Sequence, residues 1–470
     1  MDEQLYINGI NAVTGNYLVD PMELSDVGRL IRGEKRDKAT SSWLKRASQS
    51  LSQPHLGLPM DVEPSDLRQA GWGVVFHTDE DAAVREALAP LIEHRRGQVG
   101  DEARTKVLEY KAGERREKWL ARHGIGLGSV RPEKVPYYLL LVGSPEAIPF
   151  LFRHQLSVEY GVGSLHFDTA EEYSRYVASV IAYEKADSIP TAREALFFGV
   201  RHNFDPATQM SADRLIKPLS AADSSGAATK HRFQSRTIVG AEATKAALTA
   251  AFAPPPGAKP PSFLFTASHG MGFPLGHAEQ RSMQGALLCQ DWPGFGQVTP
   301  DHYFAAADLP ATARVHGMIG FHFACYGAGT PSHDRFMHEA GSPPEAIATQ
   351  PFIAALPKAL LAHPAGGALA CIGHVERAWG CSIVTQKAGS QLLPFENAIG
   401  RILTGEPIGL AMKDFYERYA SLSVSLSSLL EEISFGASVP EADLAGTWIA
   451  RNDAEGYLIL GDPAVRLRVE

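Results

Sequence analysis

His269 and Cys325 each stand at the end of an apolar run, and a histidine and a cysteine so placed could pass a proton and attack a carbonyl. The first run is Phe263-Leu-Phe-Thr-Ala-Ser-His-Gly270. The second is Val315-His-Gly-Met-Ile-Gly-Phe-His-Phe-Ala-Cys-Tyr-Gly327, which opens into the small-residue loop ending at Thr330. In open α/β sheets the chemistry sits just outside the carboxyl ends of the strands. A cysteine nucleophile and its base require one residue at each of two such ends. An ordinary thiol, with a pKa of about 8.5, needs a neighbouring base or cation to be useful at neutral pH. His269 would supply the base and later protonate the leaving amine. The backbone N–H groups of Gly270 and Cys325 are the candidate oxyanion hole, where losing one donor typically costs about 2.7–4 kcal/mol of barrier.

Other residues compete less well. The remaining cysteines are Cys289, Cys371 and Cys381, and Cys371 lies inside the apolar run 368–372, as a buried inert thiol would. Four cysteines in 470 residues make no disulfide framework. His322 sits within its strand and reads as an interior histidine, His316 begins that strand, and His374 follows the next one and could line a pocket. His277 and His302 fall in a loop. No spacing of histidines and cysteines marks a metal site.

The elements that must position these groups alternate from about residue 192, which argues for a parallel sheet with right-handed crossovers. Strands are expected at 195–200, 236–239, 263–265, around 319–324, and at 366–373, with helices at 211–219, 243–252, 343–363, 395–403 and 409–430. Ser211 is the expected cap of the first of these helices. The long interval 270–309 has little periodicity and is expected to be organised by the site. Upstream, 71–76 and 137–142 read as strands, and 80–95, 102–122 and 170–185 as helices, the second a charged, solvent-facing span. Residues 5–18 read as a short strand and turn, with Asn8-Gly9 as the turn. The basic stretch Arg29 to Arg46 and the polar segment after it suggest a linker or a removable regulatory arm, open to self-cleavage between about residues 29 and 46.

On the His-Gly and Ala-Cys strand ends, the chain resembles the caspase-type cysteine peptidases, the group that includes gingipains, metacaspases, separase and CHAT domains. It looks most like the gingipain branch, over roughly residues 130–470. The phrase Leu460-Gly-Asp-Pro463 is similar to one near the end of gingipain and CHAT catalytic domains. The caspase signature Gln-Ala-Cys-[Arg/Gln/Gly]-Gly is not matched by Phe323-Ala-Cys-Tyr-Gly327, so a preference for aspartate does not carry over. The resemblance implies an α/β fold with a caspase-like, mostly parallel sheet flanked by helices. It implies an arm at 1–58, a non-catalytic α/β subdomain at 59–190 and a catalytic domain at 191–470. It further implies a cysteine endopeptidase acting on a protein or peptide substrate, with a regulatory protein partner in reach. By analogy with metacaspases, Asp213 would bind an Arg or Lys side chain before the scissile bond, with Asp205 as runner-up. No cofactor is required; several relatives use calcium, but no dense Asp/Asn loop here demands it. An idle binding or scaffold module of the same fold, and a Cys-His hydrolase or acyltransferase on a non-peptide substrate, are the alternatives.

Bulk properties bound the remainder. A net charge of −9 offers no basic face for nucleic acid or an anionic membrane. No run approaches the roughly 20 apolar residues that span a bilayer. The first residues lack the basic and apolar segments of a secretory signal, and a cytoplasmic protein is expected.

Overall fold

A computed structural model of the chain describes residues 4–6, 9–18, 21–23, 58–59, 62–336, 343–385 and 389–469. The basic stretch 29–46, and with it the proposed self-cleavage, lies outside the described residues. So does Asn8, one half of the expected Asn-Gly turn.

Ten strands make one continuous sheet: β1 Trp72–His77, β2 Thr105–Tyr110, β3 Tyr138–Val142, β4 Gly161–Leu165, β5 Ala192–Gly199, β6 Gln234–Val239, β7 Pro261–Ala267, β8 Ile319–Phe323, β9 Ala370–His374 and β10 Tyr457–Gly461. Their order is β2-β1-β3-β4-β10-β9-β8-β7-β5-β6. Neighbours run parallel except at one place, where β10 is antiparallel to β9 while parallel to β4. The sheet is therefore two parallel halves pointing in opposite directions, with the last strand of the chain at the seam. Every residue of β3, β7 and β8 is buried, as expected of interior parallel strands covered on both faces by helices.

Asp462, just past β10, ties the seam together. Its carboxylate accepts from Trp72 Nε1 at 2.9 Å and from Arg95 Nε at 2.7 Å. Arg95, on helix α1 (Ala82–Val99), also grips Glu184 on helix α2 (Ala170–Lys185) at 2.7 and 2.8 Å. Both Asp462 and Arg95 are buried, so each charge is tolerated because the other is there. The Leu-Gly-Asp-Pro phrase thus has a local structural use. Helix α2 begins on a full capping box, with Thr169 and Glu172 satisfying each other's backbone N–H groups.

Two expectations are corrected here. The charged span 102–122 is a single turn at Glu102–Arg104, the edge strand β2 and a helix at Arg116–Arg122. Leu108 and Tyr110 of β2 point inward while Val107 and Glu109 are exposed, and charge on the outer face suits an unprotected edge. The helix expected to start at Ser211 starts earlier, as α3: Pro206–Ser211, a π-turn at Ala212–Ile216, and Lys217–Leu219. Asp205 is its cap, accepting from Ala207 N at 3.1 Å, with Pro206 in the first turn.

The interval after β7 folds into a small sheet of its own. Its strands are Tyr303–Phe304, Leu287–Leu288, Gly270–Gly272 and, from the start of the chain, Gly9–Asn11. Gly9–Asn11 lies parallel to Gly270–Gly272, with Gly9 opposite Gly270. The turn that follows is at Asn11–Gly15, where Asn11 Oδ1 accepts from Val13 N and Thr14 N, and Gly15 takes a positive φ of 67°. Among the described residues, no helix is long and apolar enough to cross a membrane.

Candidate active site

Register brings His269 and Cys325 together. In the parallel pair β7/β8, Ala267 lies opposite Phe323, so both residues stand two positions past matched strand ends. On the other side β5 places Gly199 opposite Ala267, and the chain then passes through 200–204 to Asp205 at the head of α3. All three side chains converge on one edge of the sheet, and all three are fully buried.

Asp205 Oδ2 lies 2.7 Å from His269 Nε2. Burial opposes ionisation of Asp205, yet the His269 imidazole and the hydrogen bonds from His269, Tyr17 and Thr208 outweigh it, and its carboxyl is held well below the usual range. A carboxylate at Nε2 fixes the neutral ring with its proton there, leaving Nδ1 as the acceptor. Among the described residues, Nδ1 is buried with no hydrogen-bond partner. The second oxygen of Asp205 accepts from the Tyr17 hydroxyl.

Cys325 Sγ is met by the backbone of Ala378: the N–H donates to it at 3.3 Å, and the carbonyl oxygen lies 3.8 Å away. Burial pushes the thiol up to about 12, with the Ala378 N–H and Arg377 pulling the other way. Cys371 is pushed up to about 12 by burial as well, so the value does not single out Cys325; its place two positions past a strand end, level with His269, does. The backbones of Gly270 and Cys325 are face to face. A Cβ at residue 270 would fall 1.8 Å from Cys325 O and 2.9 Å from its N, so only glycine fits.

The loop after β9 forms the opposite wall. Tyr326 and Glu376 both adopt left-handed backbone, with φ of 59° and 69°, and Tyr326 N donates to Glu376 O at 2.5 Å. Such conformations cost about 1–3 kcal/mol each and are found concentrated at functional sites. Glu376 is buried, which pushes its carboxyl up to about 8 against the partial relief given by Arg377. Below its unfolded value of 4.5 this group is protonated in both states. As the pH rises from there toward 8, the unfolded chain releases the proton while the fold retains it, so the group's stabilising contribution is progressively lost. Urea unfolding at pH 5 and pH 8 should therefore show a smaller decline for Glu376→Gln than for the wild type. Equal declines would contradict the reading.

The other expected residues lie elsewhere. Asp213, one-third exposed, lines a cleft of about 260 Å³ with Gln209, Met210, Arg214 and Val384. Its oxygens are engaged by Arg201 Nε at 3.1 Å and Lys217 Nζ at 2.5 Å, and those bonds lower its pKa. Asp205 is placed on the imidazole rather than at that cleft. His322 bonds Thr266 Oγ1 at 2.9 Å inside the sheet and is pushed down to about 4 by burial, so it is a neutral interior residue. His374 Nε2 sits 2.8 Å from Asp453 O, beneath the same loop. Among the described residues no group of three or more His, Cys, Asp or Glu is arranged to hold a metal.

No family model and no curated protein matches the chain. Among solved structures it is similar to the Arg-specific cysteine proteinase gingipain R (RgpB), at 12% identity over 85% of this chain and 79% of that one, with a TM-score of 0.43. A second, described as a protease, is 14% identical over 84% and 78%, with a TM-score of 0.44. A third, the complex of Porphyromonas gingivalis RgpB pro- and mature domains, is 11% identical over 85% and 80%, with a TM-score of 0.43.

Tyr17, Ala378 and Glu376 were not foreseen as site residues. Each lies far along the chain from His269 and carries no local signal. Asp205 had one: an Asp-Pro pair after a strand marks a helix start at the carboxyl edge, where the site is.

Proposed function

We propose that the chain is a cysteine endopeptidase with Cys325 as nucleophile, His269 as base and Asp205 as the residue that orients the base. The observation that carries this is the pairing of Asp205 with His269 at the end of β7, level with Cys325 at the end of β8. His269 Nδ1 would take the thiol proton, and the thiolate would attack the peptide carbonyl. The oxyanion would form against the N–H groups of Gly270 and Cys325. The imidazolium, held by Asp205, would then protonate the leaving amine, and water would release the acyl group through the same histidine. Asp205 acts through His269 and does not touch substrate.

The preference for Arg or Lys is part of the proposal. A substrate cation reaching Asp213 would enter the cleft and replace Lys217 on its exposed oxygen. A second reading, a fold-mate whose site is idle, is favoured by one observation: neither polar contact of Cys325 Sγ is to His269. Peptidyl ketone electrophiles ending in Arg, Lys, Phe or Asp separate the two. Labelling at Cys325 that is lost in His269→Ala supports the peptidase, and absence of labelling with all four, in wild type and in Tyr17→Ala alike, supports the idle module. A preference for the basic probes that disappears in Asp213→Ala supports that residue's role. A preference that survives the change refutes it.

A further inference from the structure

We propose that residues 9–18 are an intrasteric plug, a hairpin of the chain's own start seated where an extended substrate would lie, with Tyr17 as its anchor. The inference rests on the active site proposed above. The hairpin runs out along Gly9–Asn11, turns, and returns so that Tyr17 bridges Ile10 and Leu18 N donates to Gly9 O at 3.0 Å.

It meets both walls of the site. On the histidine side it adds a strand to Gly270–Gly272, and Ala12 N donates to Gly272 O at 2.8 Å. On the cysteine side the contact comes from just ahead of the hairpin, where Gly380 N donates to Tyr6 O at 3.3 Å, two residues beyond the Ala378 that contacts Sγ. Extended peptides commonly bind by adding a strand to an open edge in this way.

Gly9 stands at the nucleophile itself. A Cβ there would be 3.0 Å from Cys325 Sγ and 2.4 Å from Leu18 Cδ1. A scissile carbonyl has to come within about 3–3.5 Å of the attacking atom. The hairpin and a substrate cannot both occupy that space.

Tyr17 fixes the plug in two ways. Its hydroxyl donates to Asp205, the residue that orients the base. Its ring lies edge-on to His269 at 5.6 Å and 5.4 Å from Phe295, in a box completed by Trp292 and Phe204. Phe204 and Phe295 remain 42% and 47% exposed with Tyr17 in place, and Trp292 Nε1 is buried without a partner among the described residues. A box with two half-bare aromatic walls beside a catalytic base suits an exchangeable occupant: Tyr17 at rest, and an apolar or aromatic substrate side chain once the hairpin leaves. The same closure explains why Cys325 and His269 are wholly buried.

Alkylation of the full chain by iodoacetamide, followed residue by residue by mass spectrometry, tests the plug without reference to proteolysis. Reactivity scales with the fraction of molecules that are open, so Tyr17→Ala should label Cys325 on the order of tenfold or more faster than wild type. Gly9→Leu, which drives a side chain into Leu18 and Sγ, should do the same from a different residue. Buried Cys289 and Cys371 should stay unlabelled in all three proteins, reporting an intact fold, partly exposed Cys381 gives the rate of an accessible thiol, and a synthetic peptide of residues 9–18 should slow Cys325 again. Wild-type Cys325 reacting as fast as Cys381, or no acceleration in either variant, would overturn the plug. Accelerated labelling without any peptide cleavage would uphold the plug and remove the peptidase reading. Cleavage by wild-type protein whose Cys325 is already freely labelled would do the reverse.

Discussion

Cys325→Ala is expected to lower peptide hydrolysis by a factor on the order of 10⁴–10⁶, and His269→Ala to do nearly as much, with the double variant scarcely worse than either. In the proposed mechanism the two side chains would act as one unit: without the thiol there would be no covalent intermediate, and without the imidazole nothing would remove the proton of a thiol pushed up to about 12. The fold should survive, because among the described residues the polar contacts of Sγ are confined to the Ala378 backbone and alanine keeps the buried Cβ. Turnover of an unmodified peptide substrate in the Tyr17→Ala background would be the cleanest assay. If either single variant kept near-normal turnover, that residue's assignment would be wrong. Serine in place of Cys289, Cys371 or Cys381 should leave substantial activity.

Asp205→Asn should cost about 10³–10⁴ in kcat while leaving most of the fold in place, because it removes the charge that holds the imidazole in the working tautomer. An amide that donates toward Nε2 turns that nitrogen into the acceptor and puts the proton on Nδ1, the nitrogen needed to receive the thiol proton. Asn keeps an oxygen for capping α3 at Ala207, so the loss is not simply a lost helix cap. Rescue by the conservative variant separates the roles. Asp205→Glu, which keeps a carboxylate, should recover part of the kcat that Asp205→Asn loses. Equal losses in the two variants would mean that the carboxylate's charge on the imidazole is not what matters.

Much of this was legible in the sequence, for identifiable reasons. The ends of β7 and β8 could be read because interior parallel strands are unbroken apolar runs, and the switch to small residues at Ser268 and Ala324 marks where they stop. Helix α2 was legible from its spacing and its Thr169/Glu172 start. Strand β2 was not, since an edge strand with Lys106 and Glu109 has the composition of a solvated helix. The terminal helix at Glu441–Glu455 escaped notice although its Asp453 reaches under the site. Asp205 and Asp213 were both picked out, but their surroundings could not be: which carboxylate meets the imidazole depends on where α3 begins, and that start was misread by six residues. The hairpin at 9–18 was the least legible part. Its partners at Gly270 and Asp205 lie some 190 to 260 positions away, and no local pattern encodes such a contact.

The most direct test of the account is a comparison of new N-termini. Tyr17→Ala protein, and the same protein with Cys325→Ala, would each be incubated with a denatured protein mixture, and cut sites mapped by mass spectrometry. Numerous cuts that depend on Cys325 are the predicted result. An absence of cuts in both, or the same cuts from both, would contradict it.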